Sequence, residues 1–131
     1  MPRLRLIFSL VVLASLVSCK APLRSELCGR YLADYKFAIE EVIVKCDGSF
    51  EQKITLKSTG ANSFGRGLWT YDPADRYIVF DGTFFTAQDG FGKFDPQYAN
   101  QKQGISSFPV GRPFGTIQFG AAEGVIYKKQ R

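Results

Sequence analysis

The chain carries three cysteines and no histidine, and that inventory limits its chemistry before any element is placed. Without histidine, Ser-His-Asp and Cys-His catalysis are excluded, and most zinc sites lose their usual ligands. Three cysteines cannot all pair within one molecule, so each needs its own account. Cys19 ends an apolar run, Leu16-Val17-Ser18-Cys19, while Cys28 and Cys46 stand further on. The acidic residues offer little more. Asp89 and Asp95 bracket a glycine-rich stretch, but the alternating oxygen ligands and distal Glu of a calcium loop are missing. Asp72 and Asp75 flank a proline turn, with no spacing that suits an acid/base pair. The mature chain has no Gly-x-Ser-x-Gly, Ser-x-x-Lys or phosphate-loop pattern. A hydrolase would have to work with carboxylates alone, so the expectation is a protein that is not an enzyme and has no cofactor and no metal.

The first 18 residues have the build of an export signal. Arg3 and Arg5 supply positive charge, and Leu6 to Val17 is apolar apart from Ser9 and Ser15. That core is too short to span a bilayer as a permanent helix. An ordinary cleavage after Ala21 would place Pro22 just behind the cut. Leu16-Val17-Ser18-Cys19 resembles instead the bacterial lipobox: a branched apolar residue, a tolerant position, a small residue and cysteine. The resemblance implies that Cys19 becomes the first residue of the mature protein and carries a diacylglycerol thioether. The competing reading is a cysteine that happens to lie in a plain signal peptide. Several acyl chains anchor stably where one would be marginal, so the lipid bilayer is the first expected partner. Lys20 follows the cysteine, and in a Gram-negative cell that implies the outer membrane, facing the periplasm.

With Cys19 consumed, Cys28 and Cys46 form an even pair in an oxidising compartment, where a disulfide is the natural expectation. It would close a loop of about 18 residues and contribute roughly 3 kcal/mol on the chain-entropy model. Two free thiols or a metal pair are the alternatives, and the second lacks further ligands.

The elements that must position these groups read mainly as strands. Residues 1–18 are taken as signal peptide, 19–27 as a polar tether and 28–131 as one domain. Of the 131 residues, 45% are hydrophobic and 15% aromatic, which places the chain in the globular class. Without Arg3 and Arg5, 15 basic residues face 12 acidic ones. Most of the basic ones are scattered, so no stripe for nucleic acid is present. Tyr35, Phe37 and Ile39 alternate, Glu40-Glu41 breaks the phase, and Val42, Val44 and Cys46 alternate again. A helix over 33–45 competes with this, but Val-Ile-Val favours strand. Asp47-Gly48 suits a hairpin turn with two positive-φ residues. Ser49 to Lys57 returns, with Phe50, Ile54 and Leu56 on its face. "FGRGLWTY" and "RYIVFDG" are further strands about an Asp72-Pro73 turn, and "FGTIQF" and "EGVIYKK" form a last hairpin. Six or seven short strands predict an all-β antiparallel up-and-down meander, closed into a small barrel or folded as a compact sandwich, with one disulfide.

The rhythm "CGRY…CDGSF…GLWTYD…RYIVF" is similar to the small lipocalin-like lipoproteins of bacteria. That resemblance implies a barrel with a cavity; it carries over no functional residue. The stretch from Gly82 to Gly111 is the main candidate for function. It reads as one long irregular loop, and loops of such length in compact domains are often functional. It holds Phe84, Phe85, Phe91, Phe94, Tyr98 and Phe108. These rings either line a hydrophobic mouth or partner surface, or pack over one end of the barrel as a plug. The functional expectation is a membrane-anchored envelope lipoprotein with a non-catalytic binding role toward an apolar small molecule or lipid. The alternative is a protein-interaction module, such as an enzyme inhibitor or an envelope assembly accessory.

Overall fold

Eight antiparallel strands close into a barrel in chain order, each strand pairing with the next and the last with the first. The computed structural model describes residues 20–85, 104–120 and 125–131. After a short helix, α1 (Arg24–Leu27), come β1 (Gly29–Tyr35), β2 (Ala38–Val44), β3 (Ser49–Leu56) and β4 (Asn62–Asp72). β5 (Tyr77–Gly82), β6 (Gly104–Gly111), β7 (Gln118–Gly120) and β8 (Ile126–Lys129) complete the wall. Closure is made where Tyr31 and Leu32 of β1 pair with Lys129 and Lys128 of β8. The expected all-β antiparallel up-and-down meander is present, closed as a barrel and not folded as a sandwich, with eight strands where six or seven were expected. Cys28 and Cys46 are bonded, with their Cα atoms 5.3 Å apart.

Up-and-down order gives the barrel two chemically different ends. Residues 20–28, the β2–β3, β4–β5 and β6–β7 connections and the last residues lie at one end. The turns after β1 and β3 lie at the other, as do Phe85 and Gly104, which flank residues 86–103. We call these the terminal end and the loop end. Gly67-Leu68-Trp69, the Gly-x-Trp of the lipocalin-like rhythm, lies on β4.

Several local expectations change. The phase break sits at Lys36-Phe37, a two-residue turn between paired Tyr35 and Ala38, not at Glu40-Glu41. Neither turn residue adopts a positive φ, so the turn carries no glycine or asparagine signature to read. Ala38, Glu40, Val42 and Val44 consequently share the inner face. At the next hairpin only Gly48 has a positive φ, of 92°, and Asp47 does not. Lys45 N–H donates to the Ser49 carbonyl and Gly48 N–H to the Lys45 carbonyl, a longer loop ending in glycine. The stretch 82–111 is not one irregular loop, since residues 104–111 form β6 despite Pro109. Pro109 points outward opposite Tyr77, at the last pair in the β5–β6 register, where a missing N–H costs least.

Residues 22–27, expected within a tether, are docked on the terminal end. Leu27 is buried in the main core, the Tyr31 hydroxyl donates to its carbonyl at 2.7 Å, and the Tyr71 hydroxyl donates to the Pro22 carbonyl at 2.9 Å. The Arg24 guanidinium lies 4.3 Å from the centre of the Trp69 ring, a cation–π contact. Among the described residues, no helix is long and apolar enough to cross a membrane.

Candidate functional site

Eight strands leave an interior just wide enough for side chains to fill, and here aromatic rings occupy it. Phe80 of β5 stacks on Phe84 at 4.5 Å between centroids, and Phe119 of β7 stacks on Tyr127 of β8 at 4.7 Å. Phe108 of β6 joins the two stacks, 5.2 Å from Phe84 and 5.7 Å from Phe119. Phe50 closes on Phe80 edge-on at 4.8 Å, and Tyr31 meets Phe119 at 5.0 Å. Two of these contacts, Phe50 of β3 with Phe80 of β5 and Tyr31 of β1 with Phe119 of β7, link strands that are not neighbours in the wall, so the rings pack across the barrel interior.

Of the residues expected to bind a ligand or partner, Phe84 and Phe108 belong to this filling and Phe85 to a smaller cluster with Ala38 and Ile54, and all three are buried. They offer no exposed surface. Phe91, Phe94 and Tyr98 lie outside the described residues, as does the candidate lipidation site Cys19. Cys28 and Cys46 form the staple at the base of α1.

Toward the loop end the filling changes from rings to hydrogen bonds. Glu40 is completely buried on the inner face of β2. One carboxylate oxygen accepts from Gln52 Nε2 at 2.7 Å and from the Tyr127 hydroxyl at 2.9 Å; the other accepts from the Tyr35 hydroxyl at 2.5 Å. Burial pushes the Glu40 carboxyl above its ordinary value, with the three donors pulling the other way. The same burial, with the Glu40 charge, raises the Tyr35 and Tyr127 phenols, so both stay neutral donors. Gln52 then clamps the incoming chain: its Oε1 accepts from Phe85 N–H and its Nε2 donates to the Phe85 carbonyl, both at 2.8 Å.

The clamp needs a close backbone approach. Thr83 N–H donates to the Arg66 carbonyl at 2.9 Å. A Cβ on Gly65 would collide with the Thr83 carbonyl oxygen and crowd Gln52. Gly65 therefore lets residues 83–85 turn off β5 and enter the barrel. The arrangement has acceptors and donors but no nucleophile beside a base, and every partner is committed within the wall. Its chemical capacity is to hold one proton and fix one segment. Among the described residues, no group of three His, Cys, Asp or Glu is placed to hold a metal ion.

The outer wall leaves several apolar side chains unburied. Phe64 and Leu68 of β4 are 60% and 64% exposed, and Ile105 of β6 is 72% exposed. Leu68, Asp81 and Ile105 are consecutive partners across β4, β5 and β6, so one carboxylate stands between two exposed aliphatic side chains. A shallow depression beside this row is lined by Ile43, Glu51, Lys53, Phe64 and Arg66. Sequence reasoning missed both features. Glu40 was legible only as a break in alternation, and Leu68 lay in "FGRGLWTY", a run read as a strand with no face assigned to it.

No family model, no curated protein and no solved structure matches the chain.

Proposed function

We propose that this protein is a lipid-anchored envelope protein, held through an acylated Cys19, that binds another envelope protein with the outside of its barrel and performs no catalysis. The observation that carries this reading is the interior. Its own rings fill the axis and Gln52 ties residue 85 inside, so a carrier's apolar ligand would have to displace stacked aromatics. Binding then falls to the outer wall, where the Leu68–Asp81–Ile105 row sets a charge between apolar contacts. A partner would meet it with an apolar patch and a cation, a pairing that gives orientation as well as area.

A photo-crosslinking residue at Thr70, next outward on β4, is expected to capture one discrete envelope protein in cells. The double variant Leu68→Ser, Ile105→Ser should lose that product while unfolding within about 0.5 kcal/mol of the wild type, because both positions are exposed. An undiminished product in the double variant would remove the outer-wall reading. Native mass spectrometry of the delipidated protein decides the carrier alternative, which a retained apolar molecule would restore. Fatty-acid labelling that persists in Cys19→Ala would remove the anchoring.

A further inference from the structure

The connection from β6 to β7 contains a residue that the fold does not use. Phe114 is fully exposed, and its backbone, at φ 53° and ψ 30°, lies in the left-handed region that bulky L residues disfavour. It stands between Pro113 and Gly115, in a turn fixed by Thr116 N–H donating to the Pro113 carbonyl at 3.2 Å. The turn thus holds an aromatic ring out in solvent, away from the core formed by the described residues. Leu23, the residue before α1, is also exposed at this end.

The surroundings are basic. A depression beside the ring is lined by Glu26, Arg112, Ile117, Lys129 and Arg131. Glu26 pairs with Arg112, and its backbone carbonyl accepts from Lys129 Nζ at 2.6 Å. Lys20 and Lys128 are exposed residues of the same end, whose β2–β3 and β4–β5 connections carry Asp47, Asp72 and Asp75. In the depression itself, cations exceed carboxylates.

The place of this turn in the barrel selects the occupant. It lies at the terminal end, tied through the Arg112–Glu26 pair to a helix that begins five residues after Cys19. Fully extended, the seven residues from Cys19 to Glu26 span at most about 25 Å, so an anchor at Cys19 keeps this end close to the bilayer. We infer that the terminal end docks on an anionic lipid surface, with the Phe114 ring inserted at the headgroup boundary and Arg131, Lys128 and Lys20 facing the lipid charge. This inference rests on the anchoring part of the proposed function, not on the protein-partner part. It makes the β6–β7 turn a second membrane contact that sets the barrel's orientation. An aromatic ring flanked by cations is the composition that such a boundary retains. The loop end then faces away from the membrane.

The test uses the full chain purified from membranes and reconstituted in vesicles of phosphatidylethanolamine and phosphatidylglycerol with brominated acyl chains. In Phe114→Trp the new indole should be quenched well above the wild-type baseline, which comes from buried Trp69 alone. Phe64→Trp, on the outer wall, should stay at that baseline. Replacing phosphatidylglycerol with phosphatidylcholine, or adding Lys128→Gln with Arg131→Gln, should reduce the quenching of Phe114→Trp about twofold or more. Quenching in Phe114→Trp no greater than in Phe64→Trp overturns the docking, whether or not Cys19 proves acylated. If labelling shows Cys19 unacylated, anchoring fails separately, and the same measurement with vesicles added from outside decides the docking. A quenched indole at position 114 then upholds it, and an unquenched one ends it.

Discussion

The two halves of the barrel interior hold the same wall together by different physics. Around Phe80, Phe84, Phe108, Phe119 and Tyr127 the filling is apolar, with ring centroids 4.5–6.0 Å apart. Around Glu40 and Gln52 it is a polar network beside a small cluster of Ala38, Ile54 and Phe85. The ring half draws its stability from burial and close packing, which depend little on pH. The polar half is directional. Its donors and acceptors are matched to one another, Gln52 Nε2 serving both Glu40 and the Phe85 carbonyl, and removing a member leaves its buried partners unsatisfied. The ring half therefore accounts for most of the stability, whereas the polar half fixes which segment enters the barrel and how far.

The largest effect should come from the ring half. Phe80 touches Phe50, Phe84, Phe108 and Phe119, so Phe80→Ala opens a cavity on the axis and is expected to cost about 3–5 kcal/mol in urea unfolding. A loss below about 1 kcal/mol, far under the usual cost of such a cavity, would mean that the rings do not pack as one body.

At the junction of the halves, Gly65→Ala forces a Cβ against the Thr83 carbonyl and the Gln52 amide. It should destabilise by about 1–3 kcal/mol and raise hydrogen exchange at Phe85 N–H more than at Phe80 N–H. Equal changes at both amides would show that residues 83–85 have no separate clamp.

The smallest effect, and the one that separates the halves most sharply, is in pH. Folding raises the Glu40 carboxyl above its unfolded value, so the folded state holds that proton more tightly. The resulting stability is fully present below the unfolded value of about 4.3 and is lost as pH rises through the raised folded value. Unfolding free energy of the wild type should thus decline over that window, and Glu40→Gln should stay level there. Parallel pH curves for the two proteins would show that Glu40 does not carry the dependence. Phe80→Ala, lacking any titrating group, should lower the curve without changing its shape.

How far the sequence could be read follows the same division. Alternation along β3 and β4, the Asp72-Pro73 turn and the pairing of the last hairpin all depend on neighbours within a few residues, and they were legible, although of "FGTIQF" only Gln118 and Phe119 lie in the strand. The missed turn at Lys36-Phe37 has no local signature. β6 was hidden because Gly104, Pro109 and Gly111 read as loop until a wall strand needs closing. Glu40 looked like a fault in the pattern, since its inward position makes sense only with Tyr35, Gln52 and Tyr127, up to 87 residues away. The candidate site was legible in part. The rings of Phe84, Phe85 and Phe108 could be named, but whether they face a ligand or one another depends on what stands across the barrel.

By itself the sequence determined the strand periodicity and the absence of histidine chemistry, because each follows from residue type and local spacing; the Cys28–Cys46 pair was an expectation that depended on reading Cys19 as a lipobox cysteine. Only the tertiary structure decided that the barrel closes on its own rings, that a carboxylate sits inside the wall, and that Phe114 is held out from it. Those outcomes depend on contacts across the barrel, between residues that local pattern cannot bring together.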